Sequence, residues 1–232
     1  MRLLLLRHGQ THGNTSGALD TAFPGLDLTE LGVRQAEAAA RVLESTGIDA
    51  IYVSPLVRTQ QTAAPLASLT GIEPQIIEGL REIAAADYEM ATDEESILGY
   101  IGTVADWIEG RFDTRMSGGE DGHEFLARYD AAITSIIAAG HGTAIVVSHG
   151  AAIRTWLSAR ATDASTHAMA TEGLANTALI ELEGDFANGW TILSWTSDPI
   201  GGAYLLDEAA PDPTGHGTDE VVEEAVEEIE RS

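Results

Sequence analysis

The chain has 232 residues, 44% hydrophobic and 6% aromatic, which is enough for one core of Ala, Leu, Ile and Val and excludes the disordered class for most of its length. Its 37 acidic residues stand against 12 basic ones, all of them arginine, for a formal charge of -25; nucleic acid and anionic membrane surfaces are therefore excluded as partners by repulsion. With no cysteine, disulfide and thiolate chemistry are excluded as well, and any arginine cluster must be a positive island in a negative field.

In chain order, Leu3 to Leu6 is a short apolar run without alternation, which suits a strand buried on both faces of a parallel sheet. Arg2 before it imitates the front of a signal peptide, but Arg7 ends the run too early, and no run approaches membrane-spanning length. A cytoplasmic protein is the expectation. Thr29 and Gly32 open a helical pattern running to Leu43. Ala50 to Val53 reads as a second buried strand, followed by Ser54 as an N-cap and Pro55 at the first helical position. Gln75-Ile76-Ile77 reads as a shorter strand, and helices are expected over Glu94 to Glu109, Glu120 to Ala139 and Ala151 to Ala159. In the second of these, Ser117-Gly118-Gly119-Glu120 serves as the cap, with Glu120 in the first turn. Ala144 to Val147 is a further buried strand; Thr177 to Leu182 and Trp190 to Trp195 are strands joined through Gly184 and the Asn188-Gly189 turn.

Strand and helix alternate, so the fold class is α/β with a mostly parallel sheet. Residues 1–205 form the expected catalytic domain and 206–232 an acidic tail. Within the tail, Val221, Val222, Ala225, Val226 and Ile229 make one apolar stripe, fitting a frayed or loosely docked helix.

Ligands of open α/β sheets bind outside the carboxyl ends of the strands. Arg7-His8-Gly9 and Ser148-His149-Gly150 stand at two such ends, Arg58 follows a third, and Arg81-Glu82 follows the Gln75 strand. Two His-Gly pairs, arginines and a carboxylate gathered there point to a dianion site, most simply for phosphate. Glycine after each histidine lets backbone approach a bound group, and the helix N-termini after Pro55 and Gly150 add N–H donors. A metal on His8, His12 and His149 is disfavoured by Gly9 and Gly13 between the first two and by Arg7 beside them. No G-x-x-x-x-G-K-[ST] loop exists.

The segments LLLLRHGQTHGN, YVSPLVRTQQTA, EGLREI and VVSHGAAIR resemble, in order and spacing, the signatures of the histidine phosphatase superfamily, the phosphoglycerate mutase-like family. The resemblance covers roughly residues 1 to 200 and implies a three-layer α/β/α sandwich and no metal or other cofactor. It implies His8 as the phosphorylated nucleophile, Arg7, Arg58, His149 and the backbone around Gly150 as holders of the phosphoryl oxygens, Asn14 as a further polar ligand, and Glu82 as general acid. Glu89 stands as an alternative acid. The implied activity is that of an acid-type histidine phosphatase, a phosphomonoesterase acting on a small phosphorylated metabolite. The mutase alternative needs basic residues beyond the acid, and none occurs between Glu82 and Arg111, which favours hydrolysis. An inactive phosphate-binding scaffold is the non-enzyme alternative. Ala85 to Glu89 replaces the Gly-x-Trp-Glu-Gly signature of the phosphatase branch. Specificity is therefore expected from Gln10, Thr15, Phe23, Tyr88 and the helix from Glu94. His123 is expected to be exposed, and His141, His167 and His216 attract no role.

Overall fold

The computed structural model describes residues 1–162, 172–215 and 217. His167, His216 and the apolar stripe at 221–229 lie outside the described residues. Strands β1 (Arg2–Arg7), β2 (Ala50–Val53), β3 (Gln75–Ile76), β4 (Thr143–Ser148), β5 (Leu179–Asp185) and β6 (Gly189–Thr196) form one sheet in the order β3-β2-β4-β1-β5-β6. The first four strands run parallel, while β5 and β6 continue the sheet antiparallel from β1.

The Leu3 to Leu6 run is buried on both faces because its period-two alternation feeds two cores. Leu3 and Leu5 pack with helices α4 (Glu94–Ile108), α5 (Gly122–Ala138) and α6 (Gly150–Arg160). Leu4 and Leu6 pack with α2 (Glu30–Leu43) and α3 (Val57–Thr70). Helices cover both faces, giving the three-layer α/β/α arrangement expected. A short helix, α1 (His12–Ser16), follows β1.

Several boundaries differ from expectation for local reasons. β3 is a two-residue exposed edge strand. α3 starts at Val57, since Ser54 is drawn inward to His149 and does not cap it. α5 is capped by Asp121 in a reciprocal box with Glu124, leaving Glu120 to pair with Arg128. His123 is exposed. Residues 206–215 return to the carboxyl end of the sheet, where Asp212 and Thr214 are buried. No helix among the described residues is long and apolar enough to cross a membrane.

Candidate active site

Parallel register builds the site. β1 and β4 pair with Arg7 opposite Ser148, and His8 N donates to Ser148 O at 3.1 Å. The next residues on the two strands, His8 and His149, consequently place their rings 5.2 Å apart. Close backbone approach locks the loops behind them. A Cβ on Gly32 would lie 2.1 Å from Gln10 O, and one on Gly150 would lie 2.5 Å from Thr214 O. The glycine after His149 thus makes room for another stretch of this chain.

The tautomer of His8 follows from its partner. Its Nδ1 lies 2.8 Å from Gly9 O; a carbonyl only accepts, so Nδ1 carries the proton and Nε2 holds a free lone pair. Burial, then Arg58 and Arg7, hold the imidazole well below the usual histidine range. His149 is depressed likewise, by burial and then by Arg58, His8 and Arg7.

The two arginines that act on His8 face carboxylates. Arg7 Nη1 and Nη2 donate to Asp212 Oδ2 and Oδ1 at 2.7 and 2.8 Å, and Arg58 Nη1 donates to Asp20 Oδ2 at 3.3 Å. Asn14 Nδ2 also donates to Asp212 Oδ1, at 2.7 Å. Arg7 Nε, Arg58 Nε and His149 Nδ1 are buried without a hydrogen-bond partner among the described residues. Orphaned buried donors are costly and call for an acceptor.

Glu82 sits on the N-terminus of α6. Its Oε1 accepts from Ile83 N at 2.9 Å and Ala152 N at 2.8 Å, and Oε2 accepts from Ala151 N at 3.3 Å. Burial pushes the carboxyl up despite these bonds and the pull of Arg58 and Arg7. Arg128 of α5 fixes the loop by donating to Gly79 O, Arg81 O and Glu82 O, each at 2.9 Å. The expected amide site after Gly150 is therefore occupied by Glu82.

The profile of the histidine phosphatase superfamily (branch 1) matches residues 3–198. The chain belongs to this superfamily. The PE-PGRS family protein PE_PGRS11 of Mycobacterium tuberculosis is 35% identical over 86% of this chain, which spans only 37% of that relative's length. A probable phosphoglycerate mutase of Yersinia enterocolitica is 30% identical over 91% of this chain and 98% of its own. Among solved structures, mycobacterial glucosyl-3-phosphoglycerate phosphatase in complex with VO3 superposes with a TM-score of 0.71 at 28% identity, covering 84% of this chain and 98% of that one.

Against that histidine phosphatase fold, the structure brings His8, Arg7, Arg58, His149, Asn14 and Glu82 together. Gln10 is buried, with Nε2 on Asp207 and Oε1 accepting from Thr29. Thr15 is exposed and bonds His12 O; Phe23 is 73% exposed; Tyr88 packs against the core and Gly99. Glu89, the alternative acid, accepts from Thr21 N, Thr21 Oγ1 and Ala22 N. Among the described residues, no three of His, Cys, Asp or Glu are grouped to hold a metal ion. Sequence reasoning missed Asp20, Ser54, Asp212 and Thr214. Only Ser54, inside a quoted signature segment, carried a signal that could have found it.

Proposed function

We propose that this histidine phosphatase superfamily member is a metal-independent phosphomonoesterase that hydrolyses a small phosphorylated metabolite through a phosphohistidine on His8. The reading is carried by one observation: His8 presents a proton-free Nε2 between Arg7, Arg58 and His149, each of which retains a buried N–H or ring nitrogen without a partner among the described residues. Phosphoryl transfer asks chiefly for an aligned nucleophile and fixed donors around the equatorial oxygens.

In the first step Nε2 bonds to phosphorus as the ester P–O bond breaks, and the departing alkoxide takes the proton of neutral Glu82. In the second, water attacks the phosphohistidine, Glu82 takes the water's proton, and Nε2 leaves with its electron pair. Burial of Glu82, which raises its proton affinity, suits both directions. Phosphatase relatives support hydrolysis, and Arg111, the first basic residue after Glu82, is paired with Asp106 and Glu109, which leaves it poorly suited to a mutase's substrate carboxylate. Rapid quench with 4-nitrophenyl phosphate tests the reading. An acid-labile, base-stable phosphoryl group on His8 is expected; a phosphoryl group elsewhere, or full turnover in His8→Ala, overturns it.

A further inference from the structure

Asp212 takes hydrogen bonds in the manner of a phosphoryl group. One carboxylate oxygen accepts from both Arg7 Nη2 and Asn14 Nδ2, while the other accepts from Arg7 Nη1. Thr214 Oγ1 lies 3.3 Å from Arg7 Nη2, and Thr214 O packs over Gly150. Backbone bonds fasten this stretch: Asp212 N donates to Asn14 O, Gly215 N to Asp212 O and Leu174 N to Gly215 O. The pocket that His8, Asn14, Asp20, Arg58 and Thr214 line measures about 10 Å³, room for roughly one water. A neighbouring cavity of about 550 Å³ includes Asp212 in its wall, along with Glu172, Asp198, Asp207 and Glu208; its charge has the wrong sign for a phosphate.

We propose that residues 207–215 are a built-in competitor for the phosphate site, with the Asp212 carboxylate holding the donors of Arg7 and Asn14 that a phosphoryl group requires. The inference rests on the reading of this site as a phosphate pocket. A dianion and Asp212 draw on the same Arg7 guanidinium, and placing both there crowds negative charge into a buried setting in which Arg58 and Arg154 are the neighbouring cations. Substrate binding therefore displaces the Asp212 side chain, and the strap around it loosens as the pocket fills. The net affinity for phosphate is what remains after that exchange.

The opposing possibility is that Asp212 anchors Arg7 for catalysis, and the two differ in sign. Orthovanadate binding is measured by calorimetry on full-length wild type, Asp212→Asn and Arg58→Ala. The asparagine keeps the shape and loses the charge, so vanadate should bind about tenfold more tightly than to wild type, the scale of one charge-assisted interaction. Arg58→Ala should bind more weakly. Equal or weaker binding to Asp212→Asn overturns the competitor and assigns Asp212 to anchoring. If neither wild type nor Asp212→Asn binds vanadate, the phosphate reading falls and the inference with it. Should Asp212→Asn fail to fold, hydrogen exchange on wild type decides. Saturating vanadate should speed exchange at the amides of Asp212 and Gly215; unchanged or slower exchange overturns the proposal.

Discussion

The Ser54 hydroxyl stands 2.7 Å from His149 Nε2 and 3.2 Å from Thr59 Oγ1. Ser54 Oγ already accepts from Leu56 N at 3.2 Å, and Thr59 directs its own proton to Leu56 O and Ser54 O. The Ser54 proton can go to Nε2 or to Thr59 Oγ1; the first places the His149 proton on Nδ1, which has no hydrogen-bond partner among the described residues and is the arrangement a bound anion would favour. Ser54→Ala should release this tautomer. Turnover is expected to fall about tenfold, the scale of one hydrogen bond, with little change in KM. Nitrogen-15 shifts of the His149 ring should show mixed tautomers; an unchanged ring spectrum would remove Ser54 from this role.

Glu82→Gln should reveal its function through the leaving group. Alkyl phosphates need a proton on departure, so their hydrolysis should slow by about a hundredfold or more. Aryl phosphates leave as stable phenolates and should slow much less. Paired kcat measurements on both substrate types provide the check, and equal losses would deny Glu82 the acid role.

Arg58→Ala removes a fully buried donor beside His8. Loss of transition-state charge stabilisation by about 3 kcal/mol, or roughly a hundredfold in kcat, is expected, as for other single oxyanion donors. His8 should also titrate higher in this variant, because a neighbouring positive charge is gone. Rate measurements with NMR titration of His8 test both effects together.

Chelation should leave turnover unchanged. The arginines beside His8 oppose a cation there, and the described residues offer no three-ligand cluster. Assay after exhaustive EDTA treatment is the measurement; loss of activity restored by a divalent ion would refute the metal-independent mechanism.

The pH response divides between histidines and carboxyl. His8 and His149 are depressed in the folded state, so the unfolded chain binds more protons below about pH 6.5. Their contribution to stability is complete above that pH and is lost as pH falls through the folded values. Glu82 is raised, so its contribution is complete below about pH 4.5 and is lost as pH rises through its folded value. Urea titrations across pH should show Glu82→Gln gaining stability relative to wild type as pH rises through that window. In kinetics, activity on alkyl phosphates should decline on the alkaline side as Glu82 ionises, and Glu82→Gln should abolish that limb.

Much of this architecture was legible because it is local. The β1 leucines, the Thr29 cap and the His-Gly strand ends each announce themselves within a few residues. The pairing of Arg7 with Asp212 spans 205 positions and leaves no such trace, since an aspartate in a Pro-rich acidic stretch looks like any solvated carboxylate. The α6 N-terminus was legible as an anion site, but a helix end does not say which anion it holds, and Glu82 claims it. Ser54 had the chemistry of a cap and the location of one; only the pairing of β2 with β4 reveals that His149 competes for its hydroxyl.

The carboxylates opposite Arg7 and Arg58 also govern how fast a ligand can arrive. With Asp212 and Asp20 in place, the arginines project little positive field, and an approaching dianion meets a surface with formal charge -25. Diffusional encounter is then uphill until the last contact. Added salt shortens the Debye length to about 10 Å at 0.1 M and should quicken capture, the reverse of an enzyme that steers its substrate by attraction.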